Sequence, residues 1–321
     1  MLSLKQSRAS ALILVRMIAM LQRGLVCVFF LPSFLLAQDF TGQFPYHHRT
    51  HYFDFYATQA SPKISEIARF ADGFVQLVNR DFFTADFDYP IRVLVFPNRQ
   101  QFQGFLIQRL HIPDPPNFGI YVYSNKFFAT YEGSGLGTFA HEILHPLVER
   151  NLKDRPQWAI EGIPTFFEKF YGFWRDSELV AYWGYQNPWR VEQLGGNLQK
   201  LDLKQLLADP THIGASLSVE RSESGWRMVS VFLWQQGRFN RFLNLIARHD
   251  RGGFPTYFEG AMEMPLERII PLWQRYLDDV AGQRAKIMRL PPSAILDDEN
   301  AFTNFANANA ISLSQPKNLT E

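Results

Sequence analysis

A short motif, H-E-x-x-H, constrains this chain more than any other feature of its 321 residues. It runs from His141 to His145, and Glu142 follows the first histidine. On an α-helix, residues four apart lie on the same face, so both imidazoles can point at one ion. Two neutral nitrogen donors suit Zn²⁺, and an adjacent carboxylate suits a base that takes a proton from water. The motif thus predicts a helix with two metal ligands and one catalytic carboxylate.

The residues around the motif favour a helix. Ser134 or Thr138 could cap its start. Pro146 directly follows the second histidine and removes one backbone hydrogen bond, so a kink is expected just after the motif. The alternative interpretation is a pair of surface histidines beside a solvated glutamate, a risk that any short motif carries. Apolar residues repeat at every fourth position, namely Phe139, Ile143 and Leu147, with Ala140, Leu144 and Val148.

A catalytic zinc site needs a third protein ligand and one open position for water. Glu149 lies eight residues after His141, about 12 Å along a helix axis, so it cannot bind the same ion. It is interpreted as a solvated partner for Arg150 or Lys153. Glu161 follows His145 after 15 intervening residues. Those residues include a polar turn and Pro156 at a predicted helix start, which suffices to bring a second helix alongside the first.

The segment from Pro156 to Glu168 resembles the gluzincin metallopeptidases, most closely the peptidase MA-like group. In that group, H-E-x-x-H is followed by a helix with the pattern W-x-x-E-G-x-x-x-[FY]-[FY]-E. The resemblance implies that Glu161 is the third zinc ligand beside His141 and His145. Glu168, taken alone, is interpreted as a surface carboxylate. The matching residues are Trp158, Glu161, Gly162, Phe166, Phe167 and Glu168.

The chain departs from this family in one respect. Members often carry a tyrosine shortly before the tryptophan of their third helix, where it hydrogen-bonds the developing oxyanion. Residues 220–224 contain no tyrosine, so the oxyanion-stabilising residue stays open. The candidates are Arg221, Arg227, Tyr121, Tyr123 and Tyr131, each of which could equally be an ordinary surface or sheet residue.

Residues 1–37 are typical of a secretory signal peptide. A basic region without acids precedes a 14-residue apolar run, Gly24 to Ala37, that ends in a small residue. The run is short for a membrane span of about 20 residues, and Pro32 interrupts it. Cleavage near Ala37 would place the protein outside the cell, in the periplasm or in the cell envelope. The alternative is an uncleaved membrane anchor, the one case in which membrane contact is expected.

Composition excludes several functional classes. Removing residues 1–37 would change the net charge from +1 to −3 and remove Cys27, the only cysteine, so no disulfide framework is expected. The chain has no basic excess and no glycine-rich phosphate loop, which argues against nucleic-acid and nucleotide partners. A peptide or protein substrate is the expected partner.

The pattern along the chain predicts an α+β protein, and the resemblance implies a gluzincin, thermolysin-like fold. Residues 38–135 are expected to form a mixed α/β part of the peptidase domain, and residues 136–290 a mainly helical part that carries the zinc site. Residues 291–321 are expected to be a disordered tail. The predicted elements of the first part are strands at Tyr52–Ala57, Ile91–Phe96 and Phe118–Tyr123 and a helix at Ile64–Asn79.

A second histidine cluster, His47, His48 and His51, could also bind a metal ion. It has no carboxylate at a useful spacing, however. A polar lead-in to a strand is the favoured interpretation.

These observations predict a zinc metallopeptidase with one Zn²⁺ per chain. Glu142 would act as general base toward water and pass the proton to the leaving amine. The aromatic segment from Phe118 to Tyr131 resembles the strand along which these enzymes bind an extended peptide. Two alternatives stay open: a binding or scaffold module that keeps the fold but has lost turnover, and a membrane-anchored structural protein.

Overall fold

The computed structural model describes residues 41–85, 90–152, 158–208, 219–248 and 253–313. The predicted leader, residues 1–37, lies outside these ranges. Within them, no helix combines the length and the apolar character that crossing a bilayer requires.

The N-terminal half contains a five-stranded sheet. Its strands are β1 (Tyr46–Arg49), β2 (Phe53–Ala57), β3 (Ile91–Phe96), β4 (Gly119–Val122) and β5 (Phe127–Tyr131). Their spatial order is β1-β2-β3-β5-β4. The three central strands are parallel, whereas β1 and β4 pair antiparallel at the two edges. The three predicted strands are confirmed as β2, β3 and β4, with small shifts at their ends.

Helices cover both faces of this sheet: α1 (Pro62–Asp81), α2 (Arg99–Arg109) and α3 (Leu136–Asn151). α1 and α3 pack on one face, against the side chains of β2 and part of β3. α2 packs on the other face, against Leu94 and Phe96. Because both faces are covered, five of the six residues of β3 are buried, which explains its nearly continuous apolar sequence. The predicted helix at residues 64–79 is confirmed as α1.

The helix that carries the H-E-x-x-H motif is α3. Its start has no side-chain cap, since Gly135 occupies the N-cap position with φ 89°. The predicted caps are therefore wrong, and Thr138 Oγ1 instead donates to the Ser134 carbonyl at 3.0 Å. The helix continues through Pro146 to its end, so both histidines lie on one uninterrupted element.

Beyond the gap at residues 153–157, which includes Pro156, the chain forms a π-helical turn, Trp158–Gly162. A short helix, α4 (Ile163–Phe167), continues from it. α3, the π-helical turn and α4 pack against one another. A β-carbon on Gly162 would lie 2.8 Å from Trp226 Cβ, so only glycine permits this close approach.

A second sheet was not predicted, because residues 136–290 were expected to be mainly helical. Its strands are β6 (Tyr171–Arg175), β7 (Glu178–Tyr182) and β8 (Ala294–Leu296), in the order β7-β6-β8. β6 and β7 form a hairpin whose turn includes Asp176 with φ 55°. Aspartate tolerates the left-handed conformation, so Asp176 followed by Ser177 between two apolar runs is the local signal that could have revealed the hairpin.

The prediction of a disordered tail does not hold for residues 291–313. β8 pairs parallel with β6, and a helix, α12 (Glu299–Ala308), follows it. Asp298 caps this helix by accepting from the Ala301 N–H at 2.8 Å. The segment is ordered because Phe302 and Ala306 of α12 are buried against the aromatic residues of β6. A composition rich in asparagine concealed this apolar stripe.

The remaining helices complete the C-terminal half. One apolar core extends from β2 and α1 through α3 to residue Ile287, so the two halves share a single interior. The chain therefore combines sheets and helices, as the α+β prediction requires at this level. These helices are α5 (Pro188–Leu194), α6 (Leu203–Leu207), α7 (Val219–Gln235), α8 (Phe239–Arg248), α9 (Phe254–Met262), α10 (Leu266–Gly282) and α11 (Arg284–Ile287).

Candidate metal centre

α3 places the three motif residues in the interior, where its buried face meets the sheet edge and α4. His141, Glu142 and His145 are all buried. The two imidazole rings have centroids 5.0 Å apart, as the one-turn spacing on a helix requires. The interpretation of the motif as two surface histidines beside a solvated glutamate is therefore wrong.

The π-helical turn brings Glu161 to the same point. Its Oε2 lies 3.4 Å from His141 Nε2 and 3.9 Å from His145 Nε2. One ligand atom from each residue lies within 4.8 Å of the others. Ligands about 2.0–2.2 Å from a tetrahedral ion are about 3.3 Å apart, so small movements would suffice. This ligand cluster (His141, His145 and Glu161) could hold a metal ion.

The outer nitrogens of both histidines have partners of their own. His141 Nδ1 lies 3.0 Å from Glu168 Oε1, and His145 Nδ1 lies 2.8 Å from the Tyr123 hydroxyl. Both Nε2 atoms are thereby directed to the Glu161 carboxylate. Hydrogen bonds of this kind fix the ring orientation and the tautomer of metal-binding histidines.

Glu168 is not the surface carboxylate that the sequence suggested. It is buried, and Asn187 Nδ2 donates to its Oε2 at 3.0 Å. Arg190 donates from Nε to Oε2 at 3.0 Å and from Nη2 to Oε1. Arg190 also donates to Glu223 Oε2 at 2.7 Å, so one buried guanidinium bridges two carboxylates. Asn187 caps α5, and the Asn-Pro pair is the sequence signal that could have placed Arg190 in a helix.

Burial shapes the protonation of the motif residues. Burial raises the pKa of Glu142 to about 8, opposed by the charge of His141 and by a hydrogen bond from the Tyr121 backbone N–H. Burial lowers the pKa of His145 to about 4. In the metal-free protein, neutral pH is therefore close to the pKa of Glu142. It lies well above the pKa of His145, which is a neutral imidazole suited to binding a metal ion.

The charges of the other groups follow from their partners. Burial raises the pKa of Glu161, but the neighbouring His145 and His141 outweigh it and lower the pKa below its ordinary value. Burial lowers the pKa of His141, yet the hydrogen bonds to Glu161 and Glu168 outweigh it and raise the pKa well above its ordinary value. Arg190 and His141 lower the pKa of Glu168 in spite of its burial. Without a metal ion, His141 is thus a cation between two carboxylates.

β4 lies directly against the motif helix. A β-carbon on Gly119 would lie 3.1 Å from Glu142 Cγ, so glycine makes this approach possible. The Tyr121 ring stacks on His145 with 5.9 Å between centroids. β4 is the last strand of its sheet among the described residues, and the Tyr121 N–H of this strand donates to Glu142. The outer edge of the sheet therefore lies beside the ligand cluster.

The structure separates the five candidates for oxyanion stabilisation. Tyr121 and Tyr123 lie beside His145. Tyr131 packs against the α2 side of the sheet. Arg227 is fully buried and donates to the carbonyls of Thr165 and Tyr185, which makes it a structural residue. The side chain of the fifth candidate, at position 221, lies outside the described part of the chain.

Two further sequence candidates lie away from the ligand cluster. Glu149 is not solvated as expected, since it is partly buried and forms an ion pair with Lys126. In the other histidine cluster, His47 lies on the edge strand β1 with its Nε2 3.2 Å from Asp54 Oδ1. Among the described residues, that cluster does not form a group of three converging ligands. His47 and His48 lie within β1, a strand that was not predicted, so of the three histidines only His51 lies in a lead-in to a strand.

Comparison with known proteins finds no matching family model and no significantly similar curated protein. Conclusions about function therefore depend on the chemistry and geometry of the site.

Proposed function

We propose that this protein is a zinc metallopeptidase of the gluzincin type, with one Zn²⁺ bound by His141, His145 and Glu161. One observation carries the proposal. A carboxylate from a second element approaches both Nε2 atoms of an H-E-x-x-H helix, while the glutamate of that motif is buried beside them. Two histidines and one carboxylate form the ligand set of a known class of catalytic zinc sites.

The residues present fit such an ion. The three donors are two nitrogens and one ionised oxygen, and both histidines have hydrogen-bond partners at their outer nitrogens, as zinc-binding histidines do. When bound, Zn²⁺ acts as a Lewis acid that polarises a carbonyl group and acidifies water.

Glu142 supplies the proton transfer. Its Oε2 lies 3.6 Å from His145 Nε2, so the carboxylate faces the space in front of the ligand nitrogens. Burial raises the pKa of Glu142 in the metal-free protein, and a bound cation would lower it again, so the carboxylate would be ionised and able to accept a proton near neutral pH. Glu142 takes a proton from the attacking water and gives it to the leaving amine.

β4 supplies the surface for an extended peptide. Its outer edge runs beside the ligand cluster, and a peptide can add to such an edge through backbone hydrogen bonds. The Tyr123 hydroxyl contacts Nδ1 of His145 at 2.8 Å. Tyr123 therefore orients a metal-binding histidine and does not serve as an oxyanion donor. Tyr121 stacks on the same imidazole and is itself buried, so it also supports His145.

The packing behind the site supports the resemblance to gluzincins. Trp158 stacks on Phe254 with 4.0 Å between ring centroids, and Gly162 allows close contact with Trp226. The tryptophan and the glycine of the W-x-x-E-G pattern thus hold Glu161 between them. With the predicted leader, the proposal extends to a secreted, periplasmic or envelope peptidase.

Metal analysis and hydrolysis of a peptide library test this function. We expect about one zinc per chain. Glu142→Gln should keep the zinc and abolish hydrolysis, because an amide cannot accept the proton. Glu161→Ala should lower zinc affinity and activity together.

Glu149→Gln is the matched control, since it neutralises a carboxylate of the same helix outside the ligand cluster. It should leave zinc content and activity near those of the wild type. Protein that holds zinc and hydrolyses no library peptide would favour the alternative, a binding module without turnover. Protein without zinc would contradict the peptidase proposal.

A further inference from the structure

Two aromatic side chains next to the ligand cluster are exposed and touch each other. Phe118 and Trp189 each have 41% of their surface accessible to solvent. Their ring centroids lie 6.3 Å apart in an edge-to-face arrangement. Contiguous apolar side chains at a surface are unfavourable in water and often mark a binding site. We call these two residues the aromatic pair.

Phe118 lies one residue from the point where the sheet touches the catalytic carboxylate. It directly precedes Gly119, where a β-carbon would lie 3.3 Å from Glu142 Oε1. The Phe118 carbonyl accepts a hydrogen bond from Thr130 Oγ1 at 2.8 Å. The backbone that carries this ring is therefore held in place at the start of the edge strand.

Trp189 is joined to the ligand cluster by a short series of contacts. Its ring lies over the guanidinium of Arg190, 4.4 Å from the ring centroid. Arg190 binds Glu168, and Glu168 binds Nδ1 of His141. The aromatic pair therefore connects the start of β4 with α5. It lies on the side of the site that contains Glu142 and His141.

The charges around the aromatic pair indicate what it binds. Arg190 is the cation in contact with Trp189, but it is buried and bonded to both Glu168 and Glu223. Its charge is thus already compensated and does not favour an acidic group. The surface offered to a ligand consists of two aromatic rings, which favour an apolar side chain.

We propose that the aromatic pair is a specificity subsite for a bulky apolar or aromatic side chain of a peptide substrate. This inference rests on the proposed peptidase function. Residues of an extended peptide are about 3.3 Å apart, so a side chain one or two positions from the scissile bond reaches the pair when the peptide follows β4. Phe118 and Trp189 are specificity residues, and they take no part in proton transfer.

Paired peptides test the subsite. Each pair differs at one position near the scissile bond, with phenylalanine or leucine in one member and alanine in the other. Wild-type protein should prefer the bulkier member by about 10-fold or more in kcat/KM at one position. Phe118→Ala and Trp189→Ala should each reduce that ratio toward one while retaining zinc and cleavage of the alanine peptide.

Ile107→Ala is the matched control, because Ile107 is a comparably exposed apolar residue, on α2. It should keep the wild-type ratio. A ratio near one in the wild type, or a ratio unchanged in both aromatic variants, would overturn the subsite while leaving the peptidase proposal intact.

Binding of the same peptides separates the two proposals. Fluorescence anisotropy with Glu142→Gln protein reads the preference without turnover. Suppose that the wild type cleaves no peptide, yet the Glu142→Gln protein binds the phenylalanine peptide more tightly than the alanine peptide. If adding Phe118→Ala removes that difference, the subsite holds and the peptidase function fails. Equal binding of both peptides would overturn the subsite.

Discussion

At the scale of single residues, the orientation of the two motif histidines depends on groups behind them. Glu168 contacts Nδ1 of His141, and Tyr123 contacts Nδ1 of His145. Arg190 in turn holds Glu168 through two hydrogen bonds. These contacts direct the Nε2 atoms to Glu161, so the metal affinity of the ligand cluster depends on residues that do not bind the ion.

Glu168→Gln should therefore weaken metal binding without removing a ligand. The amide loses the ionic hydrogen bond to His141 and leaves Arg190 with one carboxylate fewer. We expect zinc affinity to fall by about 10- to 100-fold, as measured by competition with a chromogenic chelator. Glu149→Gln serves as the control, and equal affinities for the two variants would show that Glu168 has no such role.

Metal binding should also depend on pH. The hydrogen bonds to Glu161 and Glu168 outweigh burial and raise the pKa of His141, so the metal-free protein holds a proton there at neutral pH. A metal ion must displace that proton. Affinity should rise by about tenfold per pH unit where one proton is released and fall as the pH is lowered.

Calorimetry of zinc binding in two buffers with different ionisation enthalpies counts the released protons. About one proton per zinc is expected at pH 7. Identical heats in the two buffers would mean that no proton leaves and that His141 is already neutral.

At the scale of elements, the site depends on how closely β4 approaches α3. Gly119 allows this contact, since a β-carbon there would lie 2.9 Å from Thr138 Cγ2 and 3.1 Å from Glu142 Cγ. The first contact is closer than β-carbons approach other atoms, and the second would require Glu142 to shift by a few tenths of an ångström. Residue 119 thus limits where the Glu142 carboxylate lies between sheet and helix.

Gly119→Ala should displace Glu142 while leaving the ligands in place. We expect kcat to fall by about tenfold to a hundredfold, because small misplacements of a catalytic group are costly, with zinc content near one. Gly104→Ala is the matched control, since a β-carbon there meets nothing within 4 Å. If both variants kept full activity, the close packing of β4 would have no bearing on Glu142.

At the scale of the whole molecule, the C-terminal segment supports the region behind the ligand cluster. Ser293 Oγ donates to the Glu168 carbonyl at 2.7 Å and accepts from the Phe170 N–H at 3.2 Å. β8 pairs with β6, and α12 covers the same strand. Residues more than 120 positions apart in the chain therefore hold the backbone of Glu168.

Phe302→Ala tests this support, because Phe302 is 1% exposed between Phe173 and Tyr182. Loss of the buried ring should lower the free energy of unfolding by about 3–5 kcal/mol, as measured by denaturation in urea. Asn304→Ala, an exposed position of the same helix, should change it by less than about 0.5 kcal/mol. A mobile segment would show no difference between the two variants.

The sequence by itself determined the features that depend on local spacing. His141 and His145 share a face because a helix repeats every 3.6 residues, whatever surrounds it. β3 is a nearly continuous apolar run because both of its faces are covered, and β2 alternates buried with partly buried residues. The glutamate of the motif and the pattern around Trp158 and Gly162 are local in the same sense, so they too could be predicted.

Tertiary structure alone decided which polar residues are buried and what they touch. Glu168 was interpreted as a surface carboxylate because its spacing from Glu161 says nothing about Arg190, which comes from another helix. β8 and α12 were assigned to a disordered tail because their partner strand lies more than 100 residues earlier in the chain. A charge or an aromatic ring gains its environment from contacts between distant segments, and no local pattern records those contacts.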